Sequence, residues 1–576
     1  MSNDPVPSRG VQLALLGSRL MTGDLSRQAF ASQTESLGLS AAAANTESER
    51  FLAIAANQAA RRAEILPRYD YVVVGAGAAG SAVAGRLASN PAAKVLLLEA
   101  GGDTDLQTAV LATEAWFMNV GAALDWSYSA APGAGVNNRR LHQAAGKLLG
   151  GGSSINGMVW ARGHKHDYDD WEKATGDARW GYAHALDIFR RIEDWHGAPD
   201  PQRRGTGGNV FVQPAPNPHP LAKAFLAAAA ARGIPTFEDQ NGVMQEGPGG
   251  GAITNVRIRD GRRRNIPADY LYPVMHQPNL TVLQGAQMHR LLFEGGNGRS
   301  VSGVEFEWNG QLRRVAADAE VVLSAGALQT PKLLMLSGIG DRDDLQRFGI
   351  ASVAHLPGVG RNFQDHPIVG AGLWEPHEPI RQRNNAAEAN LFVKSRADLA
   401  TPDLHIWNIE VPYLSEVTMA NAVPGAWSIS PGLARPHSRG HVRLASANPG
   451  DQLDIHANML DDPRDLEALR IAMKLARDLG NSEEMRPYVK RELLPGPRVG
   501  EALDDLIRDA VTSMHHPVGT ARMGRDDGSV VDADLRVHGI DKLRVADASV
   551  MPSITTGNTL APSVLIGERM AEILAN

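Results

Sequence analysis

The stretch of this chain best suited to hold a reactive ligand is Gly75-Ala-Gly77-Ala-Ala-Gly80. It lies between a β-branched run, Tyr71 to Val74, and a helical pattern, Ser81 to Ala88. A second apolar run, Val95 to Leu98, ends in Glu99. Strand, glycine turn, helix and strand in this order form a dinucleotide-binding unit. Gly75 permits the tight turn, Gly77 lets the backbone approach a pyrophosphate, and Gly80 lets helix and strand pack closely. The unsatisfied N–H groups and the dipole at the helix start attract phosphate. Glu99 is placed to bind the ribose hydroxyls of an adenosine. The unit by itself suits NAD and FAD equally.

A second stretch runs Gly146-Lys-Leu-Leu-Gly150-Gly151-Gly-Ser153-Ser154-Ile-Asn156-Gly157-Met158, then on to Arg162-Gly-His164-Lys-His166-Asp167-Tyr-Asp169-Asp-Trp171. It is dense in glycine and in hydrogen-bond donors, so it can lie against a flat polar ring or a pyrophosphate. Glu320 to Ser324 followed by Ala-Gly and a helical run repeats the strand–glycine–helix switch, and offers a second nucleotide contact. Polar residues gather again near the C terminus. Met514-His515-His516 sits in a turn, Leu543 to Asp547 is a strand ending in an acid, and Pro552 to Thr559 is a loop before a helix with Pro562 in its first turn. His164-Lys-His166 lacks the neighbours of a four-ligand zinc site, so no metal is expected. His164, His166 and His366 read as structural.

These segments need a scaffold, and a chain of 576 residues is long enough for two or more domains. Hydrophobic residues make up 43% and charged residues 21%, the balance of a soluble globular protein. A net charge of −7 argues against a nucleic-acid groove or a polybasic membrane anchor. Arg262-Arg263-Arg264 reads as a solvated turn. There is no cysteine, which excludes disulfides, Fe–S clusters, Cys-ligated zinc, thiol nucleophiles and a cysteinyl-linked flavin. That composition fits a reducing compartment, and the expected location is cytoplasmic. No apolar run approaches the roughly 20 residues of a membrane span.

Residues 1–66 precede the nucleotide unit and read as a helical arm, with helices at Val11 to Leu20 and Arg50 to Ile65. Leu25-Ser-Arg-Gln-Ala-Phe30 bears a faint likeness to a twin-arginine export segment, but Gln28 replaces the second arginine and Glu35 interrupts the apolar core. An arm packed on the body or on a second subunit is the favoured reading.

From about residue 69 onward the chain resembles the glucose–methanol–choline (GMC) oxidoreductase family. Four motifs carry the resemblance: GAGAAG with Glu99; GKLLGGGSSINGM with RGHKHDYDDW; SAGALQTPKLLMLSGIG; and the C-terminal HHPVGT, DAS and TTGNT segments. The resemblance implies an α/β protein: a discontinuous Rossmann-like FAD-binding domain with a second α+β substrate domain. The segments expected are an arm (1–66), FAD domain (67–171), substrate domain (172–245), FAD domain (246–366), substrate domain (367–511) and FAD domain with the catalytic residues (512–576). It implies oxidation of an alcohol to a carbonyl, with O2 or a quinone-like compound as acceptor. By resemblance, Gly75, Gly77, Gly80 and Glu99 hold the ADP half, and Gly150, Gly151, Ser154, Asn156, Gly157 and Met158 line the flavin. Asp547 contacts the FAD chain, and Asn558 and Thr559 the pyrimidine edge. His516 matches the catalytic histidine and Asn558 the second catalytic position. His515, Trp407 and Phe392 are candidates for the substrate pocket.

Two departures from the family pattern stand out. Members with histidyl-linked FAD carry histidine where this chain has Ile155, so FAD is expected to be non-covalent. The usual arginine before Gly-Lys is Ala145. The leading expectation is an oxidase for a primary, aryl or furan-type alcohol. A dehydrogenase and a redox-silent flavin scaffold are the alternatives, and a homodimer is one option for the assembly.

Overall fold

The computed structural model describes residues 7–102, 106–294 and 298–575. Seven helices matter for the site: α1 (Arg9–Thr22), α2 (Arg27–Ser36), α3 (Ala41–Ala63), α4 (Ala78–Ala88), α5 (Lys165–Thr175), α6 (Gly326–Leu336) and α7 (Leu560–Ala575). Eight strands matter likewise: β1 (Arg68–Val74), β2 (Val95–Glu99), β3 (Gly250–Ile253), β4 (Leu280–Gln284), β5 (Gln311–Leu323), β6 (Ala389–Val393), β7 (Leu404–Ile409) and β8 (Trp427–Leu433).

Strands β4, β2, β1 and β5 run parallel in that order. Ser300–Trp308 and Ala286–Glu294 extend the sheet antiparallel, and Leu543–Val545 pairs with β5. All five residues of β2 are buried, as expected of a strand covered on both faces. α4 crosses from β1 to β2, and α7 lies on α4, where Gly567 lets it approach Ala79 and Ala82. This is the expected Rossmann-like domain.

The second sheet holds nine strands. Its path runs Arg491–Leu494, Leu373–Glu375, β8, β7, β6, β3 and Thr236–Phe237, with Pro367–Val369 joining β8 to Val511–Ser513. One face is covered by helices Pro220–Ala231 and Pro463–Gly480, through Phe225 and Leu479 packed among Ile406, Trp427 and Ile429. Side chains alternate along a strand, so Trp407 emerges on the other face, beside Val159 and Ala161 of the first domain. Strand β3 belongs to this second sheet, although it falls in the segment expected to serve the nucleotide domain.

The arm folds as three helices around Leu16, Leu20, Leu25, Phe30 and Phe51. Helix α2 is an addition to the two expected. Ser26 caps it and Phe30 is buried, so the Leu25–Phe30 segment has a packing role here. Helix α3 runs along the outer edge of β4. Gln58 donates to the carbonyls of Met275 and Leu280 and accepts from Val282 N–H, and Arg62 donates to the Val282 carbonyl. An open strand edge is thereby closed by side chains. Helix α1 packs Val11 and Ala14 on Leu111, and Gly10 N–H donates to the Asp260 carbonyl.

Candidate functional site

The nucleotide turn is shaped by backbone contact. Gly75 has φ +98°, and a Cβ there would strike the Ser324 carbonyl. A Cβ on Gly80 would overlap the Gly75 carbonyl oxygen. At Gly77 it would meet nothing within 4 Å, so this glycine faces open space. Gly77 is also the N-cap of α4 and provides no capping side chain, leaving the first-turn N–H groups for a ligand. Glu99 is buried and accepts from Ala76 N–H at 2.9 Å and Gly101 N–H at 2.7 Å. Burial pushes its carboxyl up to about 7, against the pull of those two bonds.

The glycine-dense loop meets this turn directly. Gly150 N–H donates to the Ala76 carbonyl at 2.8 Å, and a Cβ on Gly151 would sit 3.1 Å from Gly77 Cα. Asn156 Oδ1 accepts from Met158 N–H, which holds Met158 at φ +60°. The Ser154 hydroxyl is turned inward onto the Leu149 carbonyl and accepts from Asn265. Gly157 lies under the Trp116 ring. Ile155 is buried against Val110 and Leu148. Ala145 gives its N–H to Asp125, which also takes Gly121 and Ser127 N–H and His142. Asp125 therefore anchors the loop. Arg263, expected in a solvated turn, is only 2% exposed. It donates to the carbonyls of Val110 and Ser153 and to Asn156 Oδ1, because its short hairpin folds back under this loop.

Asp547 does comparable work on the far side. It accepts from Gly326 N–H, the Thr330 hydroxyl and Ser549 N–H, tying the start of α6 to the end of Leu543–Val545.

Segments 364–369 and 511–518 run antiparallel, and that pairing brings two histidines together. Asp365 accepts His516 N–H at 2.8 Å and the Ser513 hydroxyl, and burial pushes its carboxyl up to about 6. His366 Nε2 lies 3.0 Å from the Ala434 carbonyl, and its Nδ1 lies 2.9 Å from His516 Nδ1. A carbonyl only accepts, so His366 carries its proton on Nε2. Burial pushes His366 down to about 4, so the ring is neutral and its Nδ1 is an acceptor. His516 must then carry its proton on Nδ1. Burial, with His366, His405 and His515 nearby, holds His516 well below the ordinary histidine range. Its Nε2 is left as a lone pair, with Asn558 Nδ2 donating to it at 3.3 Å.

Asn558 is placed by a distant acid. Asp167, in the first turn of α5, accepts Thr556 N–H at 2.7 Å and the Thr556 hydroxyl at 2.9 Å, and pairs with Arg435. Arg435 follows Ala434, whose carbonyl sets the tautomer.

Beside the histidine pair stands a ring wall. Phe392 stacks on His405 with centroids 4.1 Å apart, and His405 tilts against Trp407 at 4.3 Å. The Phe392 ring reaches to 3.5 Å from where a Cβ on Gly557 would lie, next to Asn558. Of the three pocket candidates, Phe392 and Trp407 come together. His515 does not join them: its Nδ1 accepts from Ala144 N–H, and its ring meets His142 edge-on. Asp365, His405, Arg435 and Thr556 do not stand out in the sequence, where His366 reads as structural. The one signal available was Gln-Asp-His inside a turn flanked by apolar residues, a concentration of polar groups with no surface to explain it.

The family model for GMC oxidoreductases matches residues 69–368 with its N-terminal part and 436–567 with its C-terminal part. The chain belongs to the GMC oxidoreductase family. Mitochondrial choline dehydrogenase of Homo sapiens is 37% identical, over 90% of this chain and 91% of that protein. Alcohol dehydrogenase [acceptor] of Pseudomonas putida is 36% identical, over 88% and 95%. The solved pyridoxine 4-oxidase from Mesorbium loti superposes with a TM-score of 0.84, at 36% identity over 88% of this chain and 99% of that one.

As a GMC oxidoreductase the protein uses FAD and acts on alcohol CH–OH donors. Its residues fit the cofactor. The uncapped start of α4 behind Gly77 offers N–H groups to a pyrophosphate, and the Asn558 Oδ1 and Thr555 hydroxyl are buried without a partner in the chain. No group of three or more metal-ligating side chains occurs among the described residues. No helix among them is long and apolar enough to cross a membrane.

Proposed function

We propose that this GMC oxidoreductase oxidises a primary aryl-type alcohol to its aldehyde, with His516 Nε2 as the proton acceptor and O2 as the electron acceptor. The observation carrying the assignment is the chain of contacts from the Ala434 carbonyl through His366 to His516 and Asn558. It leaves one unprotonated imidazole nitrogen beside an amide donor.

Gly75, Gly77, Gly80 and Glu99 hold the ADP half of FAD. Gly150, Gly151, Ser154, Asn156, Gly157 and Met158 form the loop against the flavin, with Asp547, Asn558 and Thr559 at its remaining edges. Bound there, FAD supplies a two-electron hydride acceptor. Ile155 offers no atom for a histidyl bond, which supports non-covalent binding.

His516 Nε2 takes the hydroxyl proton of the alcohol, and Asn558 Nδ2 donates to the same oxygen as negative charge grows on it. Loss of the proton pushes electron density towards the carbinol carbon, and its C–H bond breaks as the C=O bond forms. The new imidazolium shares its Nδ1 proton with His366, whose own orientation is held by Ala434. The aryl choice rests on the ring wall of Phe392, His405 and Trp407.

A dehydrogenase reading, with a quinone-type acceptor, is favoured by the likeness to choline dehydrogenase and to alcohol dehydrogenase [acceptor]. Substrate-dependent oxygen uptake with stoichiometric peroxide supports the oxidase. Flavin reduction by alcohol without oxygen uptake sustains the dehydrogenase instead. His516→Ala with FAD retained and near-normal turnover would remove the proton-acceptor assignment.

A further inference from the structure

Residues 8–14 of the arm touch two segments that both continue to the glycine-dense loop. The first is the hairpin of Ile258–Arg259 and Arg262–Arg263. At its tip Gly10 N–H donates to the Asp260 carbonyl at 3.2 Å, and the Ser8 hydroxyl donates to the Gly261 carbonyl at 2.7 Å. A Cβ on Gly10 would lie 2.3 Å from that Asp260 oxygen, so α1 is seated on the hairpin as closely as only a glycine permits. The second is the short helix Thr108–Leu111. Its last two residues divide their contacts. Leu111 packs with Val11 and Ala14 of α1, while Val110 packs with Leu148 and Ile155 of the glycine-dense loop.

Arg263 joins these segments to the loop. Its Nε donates to the Val110 carbonyl at 2.7 Å, and its Nη1 donates to Asn156 Oδ1 at 2.8 Å and to the Ser153 carbonyl at 3.3 Å. Asn156 Oδ1 is the atom that also takes Met158 N–H. Neutral oxygens are thus all that meet the buried charge, and Arg263 Nη2 has no partner in the chain. Burial, with Arg257 nearby, pushes this guanidinium down to about 9. Burying a charge without a counter-charge is costly. The hairpin tip at Asp260 and Gly261 is exposed, so that cost favours lifting the hairpin outward and returning Arg263 to water. The arm opposes this by holding the tip at Ser8 and Gly10.

We propose that the arm is a brace for the glycine-dense loop. Residues 8–14 pin the hairpin and the Thr108–Leu111 helix, and Arg263 carries that hold to Ser153 and Asn156. Retention of FAD then depends on a segment that precedes the residues matched by the family model. Arg263 is a positioning residue, because it acts on the cofactor through Asn156 and the Ser153 carbonyl. The inference rests on the proposed placement of the 150–158 loop against the flavin. Helix α3 does separate work at the edge of β4, so its Gln58 serves as a control within the same arm.

The test follows release of FAD from the purified holoenzyme after dilution, read as recovery of flavin fluorescence. Arg263→Met is expected to speed release by ~10-fold or more, since hydrogen bonds from a charged donor are lost. Gly10→Leu, which forces α1 off Asp260, should speed it by ~5-fold. Gln58→Ala should leave release within about 2-fold of wild type, although it removes three hydrogen bonds from the other end of the arm. The first two variants act along one path, so combining them should add no more than about 2-fold to Arg263→Met alone. The visible circular dichroism of the bound flavin should change in Arg263→Met and Gly10→Leu and stay as in wild type in Gln58→Ala. If Arg263→Met gives no soluble protein, Arg263→Lys replaces it, keeping the charge but losing the fork that spans Val110 and Asn156. Unchanged release in Gly10→Leu and the Arg263 variant, or equal acceleration by Gln58→Ala, overturns the brace. Asn156→Ala tells the two ideas apart. If it alone speeds release, the loop placement stands and the brace falls; if it too changes nothing, the placement itself fails and the brace with it.

Discussion

The cradle around Gly75 to Glu99 and the wall around Trp407 treat their polar groups in opposite ways. In the cradle, both oxygens of Glu99 accept backbone N–H groups, and Asp547 is tied to three donors before any ligand arrives. Backbone contact, rather than side-chain chemistry, fixes its shape. In the wall, Asn390 Oδ1, the Ser430 hydroxyl and His405 Nε2 are buried without partners. The cradle settles its side chains in advance and leaves backbone N–H groups at the start of α4 for its cofactor. Polar atoms left without a partner penalise any ligand that fails to supply one.

The largest test of that contrast is Gly80→Val. The added side chain would overlap the Gly75 carbonyl and press on Ser324, at a cost of about 3 kcal/mol or more. The expected outcome is protein without bound flavin, read from the visible spectrum after purification. Full flavin occupancy would show that the cradle is not set by backbone contact.

Next in size is His516→Ala, which is expected to lower turnover by ~10²- to 10⁴-fold while FAD remains bound. Flavin content together with steady-state kinetics separates loss of the base from loss of the cofactor. The acid limb of kcat/KM in the parent enzyme should fall below pH 6.5, since His516 is held well below the ordinary histidine range by burial and by three neighbouring histidines.

His366 gives a stability effect of known sign. Its folded ring refuses a proton that the unfolded chain accepts below 6.5, with the folded value near 4. Stability is therefore complete above pH 6.5 and is lost as pH falls towards 4, by roughly 3 kcal/mol. Urea midpoints measured across that window should decline more steeply than in His366→Gln. Parallel profiles would mean that the ring is not buried as a neutral group.

The smallest expected change is Gly77→Ala. Its Cβ would enter open space, so thermal stability without FAD should stay within about 0.5 kcal/mol. FAD binding should weaken by ~10-fold, because the methyl stands where the pyrophosphate must approach. Isothermal titration with FAD checks this. Unaltered affinity would place the phosphates elsewhere.

Legibility in the sequence followed the distance over which each feature is decided. The unit β1–α4–β2, the glycine-dense loop and the strand–glycine–helix switch into α6 are local, and each was readable because steric rules act between near neighbours in the chain. The edge cap on β4 was not readable. Gln58 and Arg62 are ordinary polar residues of a helix until β4 lies beside them. Arg263 misled for the same reason, since an arginine in a basic triplet looks solvated unless its hairpin folds beneath Ser153 and Asn156. His366 looked structural because nothing within its own segment reveals the second imidazole across the strand pair.

Legible in the chain alone are the cofactor cradle and the family. Glycine spacing, a strand end bearing an acid and an uncapped helix start act through backbone geometry within one continuous run. The tautomer of His516 depends instead on contacts between segments far apart in the chain. A tautomer is set by the partner of the opposite ring nitrogen. Here that partner is His366, itself fixed by the Ala434 carbonyl, and the three groups come from three segments, far apart in the chain, that pair within the second sheet.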